Sequence, residues 1–280
     1  MDNQQNSDMN DDISFYMQGW ETDKPPKAIV CLVHGLGEHT GRYAHVGKAL
    51  NDAGYALFGF DLRGHGQSGG ARGHFPSLQT VLNDIHNFIH FQRQNHPRLP
   101  LFLYGHSLGG LLTLTYILQH PEGVQGVIVT GAGLRSALQE QKAKIALVKV
   151  LGSLLPSLSL KSELEVEGLS HDPAVIQAYV NDPLVHDKVS LGLGKAGLEA
   201  IDLCFRRASE FKPPLLIMHG KADRITYASG SEDFAKLASQ NNKDITLKIW
   251  DGLYHEIHNE PQQAEVFKVM IEWLDKHLSS

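Results

Sequence analysis

Six short apolar runs, each stopping at or beside a glycine, constrain this 280-residue chain more than any other feature. Ala28–Val33 leads into His34-Gly35, Tyr55–Phe60 into Asp61-Leu62-Arg63-Gly64, and Leu101–Tyr104 into Gly105-His106-Ser107. Gly126–Thr130 meets Gly131, Leu215–Met218 meets His219-Gly220, and Ile245–Trp250 meets Asp251-Gly252. Runs this short, without polar alternation, suit strands covered on both faces. Helical spacing fills the intervals at 43–53, 78–95, 108–120, 229–240 and 261–278. The alternation predicts an α/β fold: a mostly parallel sheet flanked by helices through right-handed crossovers. Ile13 to Trp20 is expected to add an antiparallel edge pair.

One interval breaks the rhythm. Residues 134–212 show no strand pattern, only helical patches interrupted at Pro156, Pro173 and Pro183. Roughly 80 residues is too long for a loop, so an inserted helical cap is expected there, with 13–133 and 213–280 forming the core. Within it Leu147, Val150, Leu151, Leu154 and Leu155 fall at i, i+3, i+4, i+7 and i+8, one apolar stripe. Such a stripe either packs on the core or faces lipid or an acyl tunnel. Residues 1–12 are polar and acidic, without the apolar stretch of a signal peptide, and are expected to form a disordered tail.

Gly105-His106-Ser107-Leu108-Gly109 lies between an apolar run and a helical pattern. A serine at such a strand-to-helix elbow is held out of the chain, where its hydroxyl can reach a substrate. It needs a base and a carboxylate to act as a nucleophile. On the α/β-hydrolase plan these follow in the order Ser, acid, His, each on a loop after a strand. Asp223 fits the acid, five residues beyond the run Leu215–Met218. Asp202 and Asp233 fall in helical patterns, and Asp251 precedes the histidine too closely. Among 16 histidines, His255 follows the last strand and precedes the last helix, where a base must sit; His258 is the competitor. His65, His74, His86, His90 and His96 read as solvated or structural. Attack on an ester also needs fixed N–H donors for the oxyanion. Leu108, at the helix start, supplies one; Leu36, in His34-Gly35-Leu36-Gly37, is expected to supply the second.

Competing chemistries fit less well. His255-Glu256-Ile257-His258 is one residue short of a zinc-binding H-E-x-x-H, and no metal is expected. Gly64-His65-Gly66-Gln67-Ser68-Gly69 has dinucleotide-binding glycines, but it starts too far past its strand and lacks the downstream acidic strand end, so no cofactor is expected. A net charge of −6 argues against a nucleic-acid partner. No run approaches the roughly 20 apolar residues of a membrane span. Cys31 and Cys204 sit in apolar segments and read as reduced core residues of a cytoplasmic protein.

His34-Gly35-Leu36-Gly37-Glu38-His39-Thr40-Gly41-Arg42-Tyr43, the loop Asp61 to Ser68, Gly105 to Gly110, His219 to Arg224 and Tyr254 to Glu260 together resemble the monoacylglycerol lipase family and its lysophospholipase-like relatives. The resemblance spans about residues 15–278; in the cap it rests mainly on Tyr179 and Asn181-Asp182-Pro183-Leu184. It implies Ser107, Asp223 and His255 as a triad, with Leu36 and Leu108 as oxyanion donors. Animal members usually carry alanine at the position of Leu36, which leaves the backbone N–H unchanged. It further implies a glycerol-binding end formed by Glu38, Arg42, His106, Tyr179 and His258. Family-typical cap glutamates cannot be placed uniquely; Glu163, Glu165 and Glu167 all qualify. The activity implied is hydrolysis of monoacylglycerols to glycerol and fatty acid through an acyl-serine, with peripheral membrane contact through the cap. Alternatives are a lysophospholipase, for which Lys142, Lys144, Lys149 and Lys161 offer a basic entrance, a short- or medium-chain carboxylesterase, and, outside catalysis, a small-molecule receptor on the same fold.

Overall fold

The computed structural model describes residues 13–278 and the backbone of Ser7–Asp8, which pairs antiparallel with Ser14–Phe15. The rest of the tail expected over 1–12 lies outside the described residues. Seven strands form the main sheet: β1 (Met17–Trp20), β2 (Ala28–Val33), β3 (Tyr55–Phe60), β4 (Leu101–His106), β5 (Gly126–Thr130), β6 (Leu215–Gly220) and β7 (Ile245–Trp250). Their order is β7-β6-β5-β4-β2-β3-β1. All neighbours are parallel except β1, which runs antiparallel to β3 along the edge.

The eight helices among the described residues are α1 (Ala44–Asp52), α2 (Leu78–Asn95), α3 (Leu108–Gln119), α4 (Lys142–Leu154), α5 (Pro173–Asn181), α6 (Leu191–Arg207), α7 (Ala228–Ala238) and α8 (Gln263–His277). The central strands show why their sequences do not alternate. In β2, Ile29, Cys31 and Val33 join a core built with α2, α3, α6 and α7. Ala28, Val30 and Leu32 join a second core with α1 and α8 on the opposite face. Both side-chain rows are buried, so every position must be apolar. Cys31 and Cys204 are buried and unpaired; burial pushes both thiols up, Cys204 to about 12 despite a hydrogen bond with Thr115.

Between β5 and β6 the chain departs from the expected all-helical character. Ser159–Lys161 and Lys188–Ser190 form a short antiparallel ladder. Three residues per strand, the first strand wholly exposed, give no readable periodicity. α6 also differs from an ordinary cap helix: Leu193, Ala196, Ala200 and Cys204 enter the same core as α2 and α3. In α4 only Gly152 is buried, while Leu147, Val150, Leu154 and Leu155 face outward, Leu154 at 70% exposure. No described helix is long and apolar enough to cross a membrane.

Candidate active site

Ser107 sits between the last residue of β4 and the first of α3. Its φ of 53° makes it the one non-glycine residue with positive φ among those described. A conformation of that kind costs about 1–3 kcal/mol and persists only where the surroundings over-determine it. Here Ser107 N–H donates to Thr130 O (2.9 Å) and Gly133 N–H donates to Ser107 O (3.0 Å). Gly109 allows the close approach behind the elbow, since a Cβ there would lie 2.0 Å from Val33 O.

His255 Nδ1–H donates to Asp223 Oδ2 at 2.7 Å, which leaves Nε2 to accept from the Ser107 hydroxyl at 2.8 Å. The three residues thus form one hydrogen-bonded chain, in the polarity that general-base activation of a serine needs. Asp223 is tightly held. Its Oδ1 accepts from Ile225 N–H (2.8 Å) and Thr226 N–H (3.0 Å). Besides His255, Oδ2 accepts from His219 Nε2–H (2.9 Å) and lies 2.9 Å from Thr226 Oγ1. His219 is oriented in turn by Ser231, whose hydroxyl donates to Nδ1 at 2.8 Å. Burial would raise the Asp223 carboxyl, but His255 and His219 hold it far below the usual carboxylate range. His219 and Thr226 were not singled out from sequence as partners of the acid, although both lie within four residues of Asp223.

The base has the complementary shift. Burial would lower the His255 imidazole, yet Asp223 raises it above its ordinary 6.5. Catalysis needs the neutral ring, so activity falls as pH drops through this raised value. The acid limb of kcat/KM for a soluble ester should therefore have its midpoint above 6.5; a midpoint below that value would contradict the pairing. His106, 4.9 Å from His255 between ring centres, does not compete for the proton, because burial and His255 lower it to about 4.

Leu36 and Leu108 line the same cavity as Ser107. The first N–H groups of a helix have no partner within it, so that of Leu108 points outward from α3. Gly35 is held at both of its backbone polar groups. His34 accepts from Leu62 N–H at Nε2 (2.8 Å), so its Nδ1–H donates to Gly35 O (2.8 Å). Gly35 N–H donates to Glu38 Oε1 (2.6 Å). Because a peptide is planar and trans, anchoring the Gly35 carbonyl also sets the direction of the Leu36 N–H.

The cavity has a volume of about 270 Å³. One arm is apolar, with Leu111, Leu138, Leu193, Leu198 and Ile201 on its wall. The other end is polar, and the residues expected there divide into two layers. Glu38, His106 and Tyr179 line it; Arg42 and His258 do not. Arg42 is engaged by carboxylates, reaching Glu38 Oε2 at 2.7 Å and both oxygens of Glu256 at 2.6 and 2.8 Å, beneath the Tyr179 ring. His258 is fully buried, stacked on Tyr43 and edge-on to His106. Burial would raise Glu38, but Arg42 and neighbouring histidines hold it down at about 2. Glu256, missed from sequence, lines the polar end, although it directly follows the base. The cap glutamates lie elsewhere: Glu163 pairs with Lys144, Glu165 with Arg224, and Glu167 borders an outer cleft.

The glycine-rich Gly64–Gly69 loop closes on its own chain. Asp61 Oδ2 accepts from Gln67 N–H (2.8 Å), and a Cβ on Gly66 would lie 2.0 Å from that oxygen.

A nucleophilic elbow, a buried base and acid on the following loops, and this strand order define a serine hydrolase of the α/β-hydrolase fold. Residues 24–262 match the model of the serine aminopeptidase S33 family, and the chain belongs to that family. It is 34% identical to a monoacylglycerol lipase of Mycolicibacterium smegmatis, over 92% of both chains. It is also 37% identical, over 94% of its length, to an uncharacterised abhydrolase domain-containing protein of Dictyostelium discoideum, of which it spans only 28%. The crystal structure of Paleococcus ferrophilus monoacylglycerol lipase superposes with a TM-score of 0.86 at 36% identity, covering 94% of this chain and 99% of that one.

Proposed function

We propose that this serine carboxylester hydrolase cleaves monoacylglycerols to glycerol and fatty acid. The observation that carries the reading is the two-ended cavity: an apolar arm and a compact polar end meet at one serine. The M. smegmatis and P. ferrophilus relatives, named as monoacylglycerol lipases, support it. Ser107 Oγ attacks the ester carbonyl while His255 Nε2 takes its proton and Asp223 stabilises the imidazolium. The N–H groups of Leu36 and Leu108 receive the oxyanion. Collapse breaks the acyl–oxygen bond, and His255 returns the proton to the departing glycerol oxygen. Water, deprotonated by His255, then attacks the acyl-serine; fatty acid leaves and Ser107 regains its proton. Glu38, His106, Tyr179 and Glu256 are the groups within reach of the alcohol, with Arg42 and His258 supporting them from below.

The division of labour follows the chain, with 13–133 and 213–280 as core and 134–212 as cap, α6 being shared between them. The outward stripe of α4 meets the lipid surface, peripherally and from the cytoplasmic side, consistent with the two unpaired buried cysteines. Of the four lysines of a basic entrance, Lys144 and Lys161 are paired with Glu163 and Asp187, which lessens the pull on a phospholipid head group. The test is a hydrolysis panel on the wild type and on a Leu147→Ser, Leu154→Ser double variant. Monoolein should exceed triolein in kcat/KM by at least about tenfold, and lysophosphatidylcholine should be slower than monoolein. Each leucine is worth roughly 1.5–3 kcal/mol on full burial, so the double variant should bind phospholipid vesicles at least about tenfold more weakly while hydrolysing p-nitrophenyl butyrate unchanged. Equal rates on monoolein and triolein would refute the substrate, and unaltered vesicle binding would refute the lipid-facing role of α4.

A further inference from the structure

Helix α6 carries three glycines, Gly192, Gly194 and Gly197. Inside a helix each costs about 0.5–1 kcal/mol relative to alanine, so each calls for a reason. Gly192 has one in packing: a Cβ there would lie 2.4 Å from Phe75 O and 3.0 Å from Pro156 O. Gly194 would meet a single neighbour, Val148 Cγ1 at 3.3 Å. At Gly197 a Cβ would meet no heavy atom within 4 Å beyond its chain neighbours and the backbone of its own helix. Nor does the backbone require glycine there, because Gly197 is not among the residues with positive φ.

Gly197 lies on the α6 face that also presents Leu193, Leu198 and Ile201, and all four line the cavity containing Ser107. Residues four apart stack along one ridge of a helix, so a side chain at 197 would project between Leu193 and Ile201. The space left open at Gly197 is therefore part of the apolar arm. We propose that Gly197 is a specificity-determining residue, its missing side chain setting the length of acyl chain that the enzyme accepts. This rests on the acyl-ester reading above and deepens it: the substrate's chain is the ligand of the α6 wall.

The test uses p-nitrophenyl esters from acetate to palmitate with the full-length protein. Gly197→Leu is expected to lower the laurate-to-acetate ratio of kcat/KM by at least about tenfold; one methylene in an apolar pocket is already worth about that much. Gly197→Ala, which adds one methyl into open space and improves helix propensity, is expected to melt above wild type and to lower the same ratio by about threefold. An unchanged ratio in the leucine variant overturns the proposal. If that variant does not fold, an unchanged ratio in Gly197→Ala overturns it equally, and so does a lower melting temperature there, since the position would then be packed. The esters contain no glycerol, so failure on monoolein with the chain-length shift intact would sink the substrate reading and leave the role of Gly197 standing.

Discussion

Ser107→Ala should lower kcat on every ester by about 10⁴-fold or more, the usual loss for a serine that acts as nucleophile. The melting temperature should stay nearly unchanged. The removed hydroxyl has one hydrogen-bond partner, His255 Nε2, and the elbow is held by the backbone bonds to Thr130 and Gly133 instead. Covalent labelling by a fluorophosphonate should vanish with activity, which also separates the enzyme from a receptor built on the same fold. Retention of a tenth of the wild-type rate, or labelling of the alanine variant, would mean that another residue attacks.

Asp223→Asn should cost nearly as much, on the order of 10⁴-fold in kcat at neutral pH, by a different route. The carbonyl of the substituted amide would keep the bonds from Ile225 and Thr226 N–H, because those two donors fix one oxygen of the side chain. The amide nitrogen would then face His255, His219 and Thr226, three groups arranged to donate or share protons with a carboxylate. His255 would have to present Nδ1 as an acceptor, placing its proton on Nε2 opposite the serine hydroxyl. The base would be in the wrong tautomer, with the architecture intact. The rate should partly recover above the usual pH range, where hydroxide can substitute for the base. Near-wild-type activity of the asparagine variant at pH 7 would show that Asp223 does not orient His255.

The core strands were legible because burial on both faces leaves no room for polar alternation, as in Ala28–Val33. The positions of the hydrogen-bonded Ser107, Asp223 and His255 were legible for a related reason: each follows a strand end that glycine marks. The polar end of the cavity was less so. The family resemblance pointed to Arg42 and His258, but a sequence match does not say which layer a side chain occupies. Arg42 is taken by Glu38 and Glu256, and His258 by the rings around it. The insertion at 134–212 is read from the missing strands and includes α6. The spacing of Leu193, Ala196, Ala200 and Cys204 gives that helix an apolar face, which joins the core. The Ser159–Lys161 ladder left no trace, because three exposed residues have no pattern to read.

The segment at 168–171 is bonded to the loop that bears the base. His255 N–H donates to Gly168 O, Glu256 N–H to Leu169 O, Ser170 Oγ–H to Asn259 O, and His171 N–H to Glu260 Oε2. α4 packs instead on α6, with Gly152 close to Leu191 and Lys195 and Val148 beside Gly194. Any opening that lifts 168–171 also breaks the bonds of the base loop, so a gate hinged there would switch off the chemistry each time it admitted a substrate.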